Sequence, residues 1–330
     1  AAFMVLASVL ALPLQLLLDL FSRSDSLFCA NADCPSHEAR KQLVHQALRV
    51  VQQHGSTISG DGWQHLCRIS ELSACVSHGG SDAEVLSTAF RIVELIHHGS
   101  SPHVASALSV VEILNAVYTI MDVEKIRRRD QDRDRLVLSK GHSTCALYAV
   151  MAEHGLMPKD TLTTFHANGS LLAGHASHFV EHIEHSTGAL GHGLSAALGM
   201  ALGLRSLGSN SRVFVVTGDG ELHEGSNWEA LMLAGHLGLN NLGVLIDNNG
   251  IDQMGKLEHC CSIEPLRPKL ESFGFFVEEV DGHDETAMTK ILARDRRAST
   301  KPFALICATV KGKGVSFMEG NTVWHYRTPQ

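Results

Sequence analysis

Apolar residues recur along the chain from about residue 82 onward, at spacings that predict alternating helices and strands. Apolar positions repeat at helical intervals in two early stretches, 82–99 and 101–121. A Gly-rich loop leads into a long helix of small residues at 187–208. Short apolar runs that each end in a turn predict strands within DRLVLSKGH (134–142), RVFVVTGDG (212–220), NLGVLIDNNG (241–250) and PFALICATVKGKG (302–314).

The two middle strands are separated by a helix-like stretch, 226–237. A strand–helix–strand unit of this kind predicts parallel strands joined by a right-handed crossover. Parallel sheets carry helices on both faces, because both faces must be buried. The predicted fold class is therefore α/β, with a parallel β-sheet and helices on both of its faces.

Residues 1–80 have helical apolar spacing but no recognisable chemistry, and we predict a helical N-terminal appendage followed by one domain over 81–330. The first twenty residues are strongly apolar, and a membrane helix needs about 20 such residues. Pro13 and Asp19 interrupt this run, which favours a buried helix, or the edge of a fragment, over a membrane span. There is no basic leader, which argues against a signal peptide.

The composition is that of an ordinary soluble globular protein, with 44% hydrophobic and 19% charged residues among 330. Lys and Arg number 27 against 35 Asp and Glu, for a net charge of −8. With no long basic run, nucleic acid is not an expected partner. The eight cysteines are scattered and form no CxxC pair, which predicts a reduced, cytoplasmic protein.

Two carboxylates stand among glycines where a strand ends, in TGDGELHEG (217–225). One interpretation is a tight turn in which Gly218 and Gly220 adopt unusual backbone angles and Asp219 caps a helix. The other is a cation and phosphate site, because parallel strands place their carboxyl ends at one sheet edge and Asn249 follows the next strand. Asp219 and Asn249 would supply hard oxygen ligands for Mg²⁺ or Ca²⁺. The two glycines would let the backbone approach phosphates.

The stretch GDGELHEGSNWEALMLAGHLGLNNLGVLIDNNGI (218–251) resembles the thiamin diphosphate signature of transketolases, in the form GDGELxEGxxWEA. The resemblance extends from about residue 85 to the C-terminus. Further motifs occur in the family's order: SPHVASALSVVEIL, LSKGH, LLAGH, STGALGHGLS and VKGKGVSFMEGNTVWH. The deoxyxylulose phosphate synthase type lacks the glutamate at the place of Glu224, although a ketol transferase of that type stays an alternative.

The resemblance implies a thiamin diphosphate cofactor and a divalent cation, Mg²⁺ or Ca²⁺. Asp219 and Asn249 match the family's metal ligands, with the backbone carbonyl of Ile251 as a third. Gly220 matches the glycine that lies against the diphosphate, and Gly218 precedes it in the same motif.

Four histidines match the family's active-site positions. His142 and His325 match histidines that contact the diphosphate and the reacting carbons, and His103 and His175 match histidines that line the substrate channel. Imidazole can donate to a sugar hydroxyl or move a proton near neutral pH. The sequence departs from the family pattern beside two of these histidines: Ser-Pro precedes His103, and WHYRTP replaces the usual WHG around His325.

Three further positions are implied by the same resemblance. Gly188 and Leu190 match the loop that meets the aminopyrimidine ring of the cofactor. Glu224 matches a glutamate that communicates with the other half of the active site. Enzymes of this type need a second domain that holds the pyrimidine ring and supplies an activating glutamate, and nothing in residues 1–80 resembles it.

The implied partner is therefore a C-terminal transketolase subunit or domain, in a dimer or an α2β2 assembly that acts on sugars or sugar phosphates. The chain would transfer a two-carbon ketol unit only together with that partner. One alternative is a non-catalytic interaction module that keeps the fold. Another is a nucleotide-binding dehydrogenase, which the lack of GxGxxG after the first strand disfavours.

A separate histidine pattern raises the possibility of a zinc site. In GHASHFVEHIEH, His175, His178, His182 and His185 are spaced by three, four and three residues, which would place them on one face of a helix. Such a face could bind Zn²⁺. If the segment instead keeps the transketolase shape, His175 enters the substrate channel.

Overall fold

The structure, a computed structural model, describes residues 81–295, 298–315 and 317–328, with side chains from residue 88 onward. The predicted N-terminal appendage and its apolar first twenty residues lie outside the described residues, so the domain boundary after residue 80 stays a prediction. None of the described helices is long and apolar enough to cross a membrane.

Helices and strands alternate through most of the described chain, as the apolar spacing predicts. The strands are β1 (Arg135–Leu138), β2 (Val213–Gly218), β3 (Leu242–Asn248), β4 (Phe276–Asp281) and β5 (Phe303–Ala308). The α-helices are α1 (Ser81–His98), α2 (Val104–Leu108), α3 (Val111–Ile120), α4 (Val123–Arg127), α5 (Thr144–Glu153), α6 (Gly193–Ser206), α7 (Gly225–His236), α8 (Leu257–Cys260), α9 (Leu266–Ser272) and α10 (Glu285–Leu292). Short 3₁₀ helices cover Gly141–Ser143, Lys159–Thr164, Gly220–His223 and Thr322–Tyr326.

The five strands form one sheet in the order β1-β2-β3-β5-β4, and every neighbouring pair is parallel. All residues of β2 are buried. Because successive side chains of a strand point to opposite faces, both faces of the sheet are covered. This confirms the predicted α/β class with a parallel sheet.

One hydrophobic core lies on the face of the sheet that α6 and α7 cover. Val213 and Val215 of β2 join this core, and Leu194 and Leu231 pack into it from the two helices. Their neighbours in β2, Phe214 and Val216, are buried but do not belong to this cluster, as expected for the opposite face. Because the strands are parallel, the loops that follow β2, β3 and β5 all leave this buried sheet at the same edge.

Two local features differ from the prediction. The stretch 101–121 is not one helix: it breaks between α2 and α3, where the Ser109 hydroxyl donates to the carboxylate of Asp247. Strand β4 was not predicted, because its sequence FVEEVD carries three acidic residues and only Val277 is fully buried. As an edge strand it pairs with β5 alone, so the apolar pattern that marks the central strands is weak there.

Candidate active site

The carboxyl ends of β2, β3 and β5 meet at one edge of the sheet. Gly218 at the end of β2 is in register with Asp247 of β3, and Asp247 is in register with Cys307 of β5. The backbone nitrogen of Asp219 donates to the carbonyl of Asp247 at 3.1 Å. The predicted site residues that follow these strands therefore lie on adjacent loops.

Asp219 is buried directly after β2. Its carboxylate accepts hydrogen bonds from the backbone nitrogens of Gly220, at 2.7 Å, and of Gly250. Burial, and then the nearby charge of Asp247, raise the pKa of Asp219 to about 6. Because an isolated anion is costly in this position, a cation beside the carboxylate would favour its charged form.

Asn249 and Ile251 follow β3 on the loop that Gly250 ties to Asp219. Asn249 is half-buried, and its side-chain oxygen accepts from the backbone nitrogen of Ile251 at 3.2 Å. Residue Gly220 packs on the same loop, because a side chain there would meet Cβ of Asp252 at 2.8 Å. The structure thus brings the predicted metal-ligand residues onto two loops joined by hydrogen bonds.

Lys311 occupies the space between that loop and a histidine. Its ammonium donates to the carbonyl of Ile251 at 2.8 Å and lies 2.7 Å from Nδ1 of His325. Burial, and then the charge of Lys140, lower the pKa of Lys311 to about 8. An ammonium has only donors, so Nδ1 of His325 must accept and the ring proton must sit on Nε2.

A second buried cation lies under the same edge. Lys140 is 2% exposed and forms an ion pair with Asp247, which is fully buried in β3. The carboxylate also accepts from the hydroxyls of Ser109, at 2.7 Å, and Thr309. Burial opposes the charge on Asp247, but Lys140 and these hydrogen bonds together hold its pKa below the usual range.

Three of the predicted histidines form a cluster of rings. The ring of His103 lies 5.1 Å from that of His142 and 5.7 Å from that of His325, and the rings of His142 and His325 are also 5.7 Å apart. His175 joins at 6.0 Å from His103. Tyr326, which the sequence did not single out, has its ring 5.0 Å from His103.

The clustered histidines are held in their neutral form. Burial, then His175 and the two lysines, lower the pKa of His103 to about 4, and burial, then Lys311, lower that of His325 to about 3. Burial, and then Lys140, lower the pKa of His142 well below its usual range. At neutral pH each of these rings therefore has one N–H donor and one acceptor nitrogen.

The backbone of His103 is itself unusual. Its φ of 75° and ψ of 23° place it in the left-handed region, immediately before α2. Non-glycine residues adopt this conformation in roughly a few per cent of cases, and it costs about 1–3 kcal/mol. The surrounding fold therefore holds His103 in the cluster at a cost.

Ser106, in α2, has a buried hydroxyl with no hydrogen-bond partner among the described residues. Its carbonyl accepts from Ser143 at 2.8 Å and from Lys140 at 3.2 Å, so Ser106 lies beside the buried cation. A buried hydroxyl without a partner is uncommon and needs an explanation. An anionic ligand beside Lys140 and His142 would provide the missing acceptor.

Gly188 and Leu190 lie on the loop that precedes α6. Gly188 packs on His175, since a side chain there would meet the His175 ring at 3.1 Å, and Leu190 is half-buried. Gly191, with φ of 86°, lies against α7, since a side chain there would meet Glu224 Cβ and Ser226 Oγ, both at 2.6 Å. This loop is thereby fixed both to the histidine cluster and to the GDG segment.

Glu221 lies between Asp219 and Glu224 in the sequence, but it was not predicted as a site residue. Its buried carboxylate accepts from Ser139 Oγ at 2.5 Å and from the backbone nitrogens of Gly191, at 3.0 Å, and Gly218, at 3.2 Å. Burial raises the pKa of Glu221, although these donors oppose the shift. Glu221 therefore ties three loops together.

Glu224 is exposed at the N-terminus of α7 and forms no side-chain capping bond there. It lies five residues after Asp219, at the far end of the 3₁₀ helix Gly220–His223. Its exposure agrees with a position that another chain could reach.

The zinc alternative fails on the fold of its segment. Residues 174–185 form turns rather than a helix, and His182 has a left-handed φ of 69°, so the spacing does not create a common face. Among the described residues, no group of three or more His, Cys, Asp or Glu is placed to hold a metal ion. His178 instead pairs with the hydroxyl of Ser186 at 2.7 Å.

The assembled edge combines hard oxygen donors, two buried cations and neutral imidazoles. The oxygen donors of Asp219, Asn249 and the Ile251 carbonyl suit Mg²⁺. The ammonium of Lys311 and the unpartnered hydroxyl of Ser106 suit an anion. Such a site can hold a metal-bound diphosphate and place neutral proton donors and acceptors beside it.

Comparison with known proteins agrees with this arrangement. The family described as "Transketolase, thiamine diphosphate binding domain" matches residues 83–327. The chain is 37% identical over 240 residues to an apulose-4-phosphate transketolase subunit from Phocaeicola vulgatus, covering 72% of this chain and 85% of the relative. It is 38% identical over 225 residues to the 6-deoxy-6-sulfo-D-fructose transketolase subunit SqwG of a Clostridium species, covering 68% of this chain and 82% of the relative.

Solved structures give the same result at the level of the fold and the family. Transketolase from Leishmania mexicana superposes with a TM-score of 0.69 at 29% identity, covering 77% of this chain but 40% of the longer protein. The chain thus spans well under half of the length of that transketolase. The match rules out the dehydrogenase alternative, and the chain belongs to the transketolase family, of which it holds the thiamine diphosphate-binding part.

Proposed function

We propose that this chain is the diphosphate- and metal-binding half of an enzyme that transfers a two-carbon ketol unit between sugars or sugar phosphates. The observation that carries the proposal is the cluster of neutral His103, His142 and His325 beside the buried ammonium of Lys311. A purely structural scaffold gains nothing from burying a cation next to three imidazoles.

The chain's own residues divide into two groups. Asp219, Asn249 and the Ile251 carbonyl would hold Mg²⁺, or Ca²⁺, and Gly218 and Gly220 would let the backbone approach the phosphates. Lys311, His142 and the Ser106 hydroxyl would bind the diphosphate oxygens. Gly188 and Leu190 would border the pyrimidine ring. When bound, thiamin diphosphate supplies the electron sink on which ketol transfer depends.

The histidines would act on the sugar. Because the proton of His325 is placed on Nε2, that ring can donate to a substrate hydroxyl or carbonyl. His103 and His142 can accept or return a proton, since both are neutral at physiological pH. His175, more exposed, would line the entry to the cluster.

A partner is part of the proposal. Both relatives compared above are named as subunits, which supports a C-terminal transketolase subunit that carries the pyrimidine-binding glutamate, in a heteromeric assembly. We place the protein in the cytoplasm: the cysteines of the described residues, Cys145, Cys260, Cys261 and Cys307, are all unbridged. Four free thiols support a reducing compartment.

The test combines the chain with the product of the neighbouring gene. Calorimetry with thiamin diphosphate and Mg²⁺, followed by a ketol-transfer assay, is expected to show binding and turnover for the complex. Asp219→Ala is expected to abolish the metal-dependent binding, because it removes the anionic ligand. A complex that forms but binds no cofactor would support the non-catalytic interaction module instead, and unchanged affinity in Asp219→Ala would reject the metal assignment.

A further inference from the structure

A buried carboxylate and a histidine link the first turn of α3 to the loop after β5. Nδ1 of His283 lies 3.0 Å from Oε1 of Glu112, and the two side chains are 11% and 9% exposed. On the other side of the ring, the backbone nitrogen of Val310 donates to Nε2 of His283 at 2.9 Å. We call these three residues the Glu112 relay.

The relay has a defined proton arrangement. The Val310 backbone N–H can only donate, so Nε2 of His283 must be the acceptor and the ring proton must sit on Nδ1. That proton is donated to the Glu112 carboxylate. Each contact therefore requires the other, as when a metal-bound histidine is oriented by its outer partner.

Gly282, the residue before His283, is fixed against the end of β5. Gly282 donates its backbone N–H to the carbonyl of Ala308 at 2.7 Å. A side chain at Gly282 would collide with Thr309 Cγ2 and would meet Cys307 Cβ at 3.0 Å. The loop that carries His283 thus lies directly on the end of β5, where only glycine fits.

The residue after Val310 is Lys311, and its neighbours are fixed as well. Thr309 donates its backbone N–H to the carbonyl of Asn248 at 3.1 Å, and Gly312 donates to the carbonyl of Ala105 at 3.0 Å. Without the bond to His283, Val310 would keep only the bond that its carbonyl accepts from the backbone nitrogen of Lys313, at 3.1 Å within the same turn. The backbone directly before Lys311 would then lose its link, through His283, to Glu112 in α3.

We propose that Glu112 and His283 are positioning residues that hold the Lys311 ammonium in place for the diphosphate of the cofactor, an inference that rests on the proposed function. Neither residue touches the cluster itself. They act through the backbone of Val310, and the expected effect is on cofactor affinity.

The first test measures affinity for thiamin diphosphate with Mg²⁺ in the complex of the full chain and its partner. His283→Phe keeps a ring but removes both hydrogen bonds, and we expect about tenfold weaker binding, the lower end of what outer-shell partners contribute. Glu112→Leu is expected to match it, while Glu112→Gln, which keeps an acceptor for Nδ1–H, is expected to stay close to wild type. The matched control is His154→Phe, which removes a similar bond, 2.7 Å to Asn115, outside the relay.

A second set of variants, made in a chain that already carries Lys311→Met, separates an effect on the Lys311 position from a general loss of structure. In Lys311→Met the ammonium is absent, so adding His283→Phe should cost no further affinity. The proposal is overturned if His283→Phe weakens binding equally in both backgrounds, or if His154→Phe weakens it as much.

A third measurement needs no bound cofactor. Hydrogen–deuterium exchange of the segment around Val310 is expected to speed up in His283→Phe and to stay unchanged in His154→Phe. If wild type binds no cofactor, the proposed function fails and this inference falls with it. If wild type binds while exchange and affinity in His283→Phe are unaltered, the proposed function stands and the inference alone is wrong.

Discussion

Glu221 holds the loop of Gly191 against the end of β2, through a 3.0 Å hydrogen bond from the Gly191 backbone nitrogen to its carboxylate. The same carboxylate accepts from Ser139 and Gly218. Three elements that are distant in sequence therefore depend on one buried side chain, which lies two residues after Asp219.

The first prediction concerns this anchor. Glu221→Ala leaves three buried donors without an acceptor, and each such loss costs about 1–3 kcal/mol. We expect a clear fall in the free energy of unfolding, measured by urea denaturation. Glu229→Ala, exposed on α7, is the control and should change it by less than about 0.5 kcal/mol. Equal stability of the two variants would show that the anchor is dispensable.

The second prediction concerns the buried pair of Lys140 and Asp247. Lys140→Met removes one charge and leaves the other buried and unpaired, which costs about 3–5 kcal/mol. The double variant with Asp247→Asn should lose less than the sum of the two single losses, because no buried charge remains uncompensated. Denaturation of the four proteins gives the coupling directly. Additive losses would mean that the two side chains do not depend on each other.

The fold could be predicted largely from the sequence, whereas these buried charges could not. Strands β2 and β3 are runs of apolar residues, so they can be recognised in the sequence without knowing their tertiary contacts. Lys140 and Asp247 are 107 positions apart in the chain, and only the sheet brings them together. Nothing local distinguishes a lysine with a buried partner from one in solvent. Lys311 and Glu221 both lie inside motifs quoted from the sequence, VKGKGVSFMEGNTVWH and TGDGELHEG, but neither was predicted as a site residue, because its contacts depend on burial that the motif does not show.

The third prediction concerns pH. Since the pKa values of His103 and His325 in the folded chain are about 4 and 3, against about 6.5 when unfolded, the unfolded chain binds more protons between those limits. Their contribution to stability is therefore complete above about pH 6.5 and is lost as the pH falls toward 4. The raised pKa of Asp219 acts in the opposite direction, so the test compares variants with wild type at each pH.

His103→Asn and His325→Asn should each lose less stability than wild type between pH 7 and pH 5, in urea denaturation at matched ionic strength. His236→Asn, exposed on α7, should follow wild type. If the free energy of unfolding depended on pH in the same way in all four proteins, the rings of His103 and His325 would have the same pKa in the folded and unfolded chain, and the prediction would be wrong.

The fourth prediction concerns the N-terminal segment. Helix α1 begins at Ser81 and the family match begins at residue 83. A chain shortened to begin at Ser81 is therefore expected to stay soluble, to pair with its partner and to bind the cofactor as the full chain does. Sedimentation and calorimetry check this. Aggregation of the shortened chain would show that residues 1–80 belong to the same core.

The last prediction separates the two carboxylates of the GDG segment. Asp219 is buried and bonded to the loop of Asn249, whereas Glu224 is exposed, five residues further on, with its side chain packed beside Gly191. An exposed carboxylate beside a loop implied to border the pyrimidine ring suits a hydrogen-bonded pair across the interface between the two chains. Its mate would be the activating glutamate of the other chain, and two close carboxylates share a proton because both cannot ionise cheaply.

Glu224→Gln should therefore leave the affinity for Mg²⁺ and thiamin diphosphate nearly intact, while it lowers activity and weakens assembly with the partner. Cofactor titration of the complex, with assembly followed by sedimentation, measures both properties in one sample. Asp219→Ala is the contrasting variant, because it should lose the metal-dependent binding. If Glu224→Gln loses that binding too, Glu224 contributes to the metal site and its assignment to the interface is wrong.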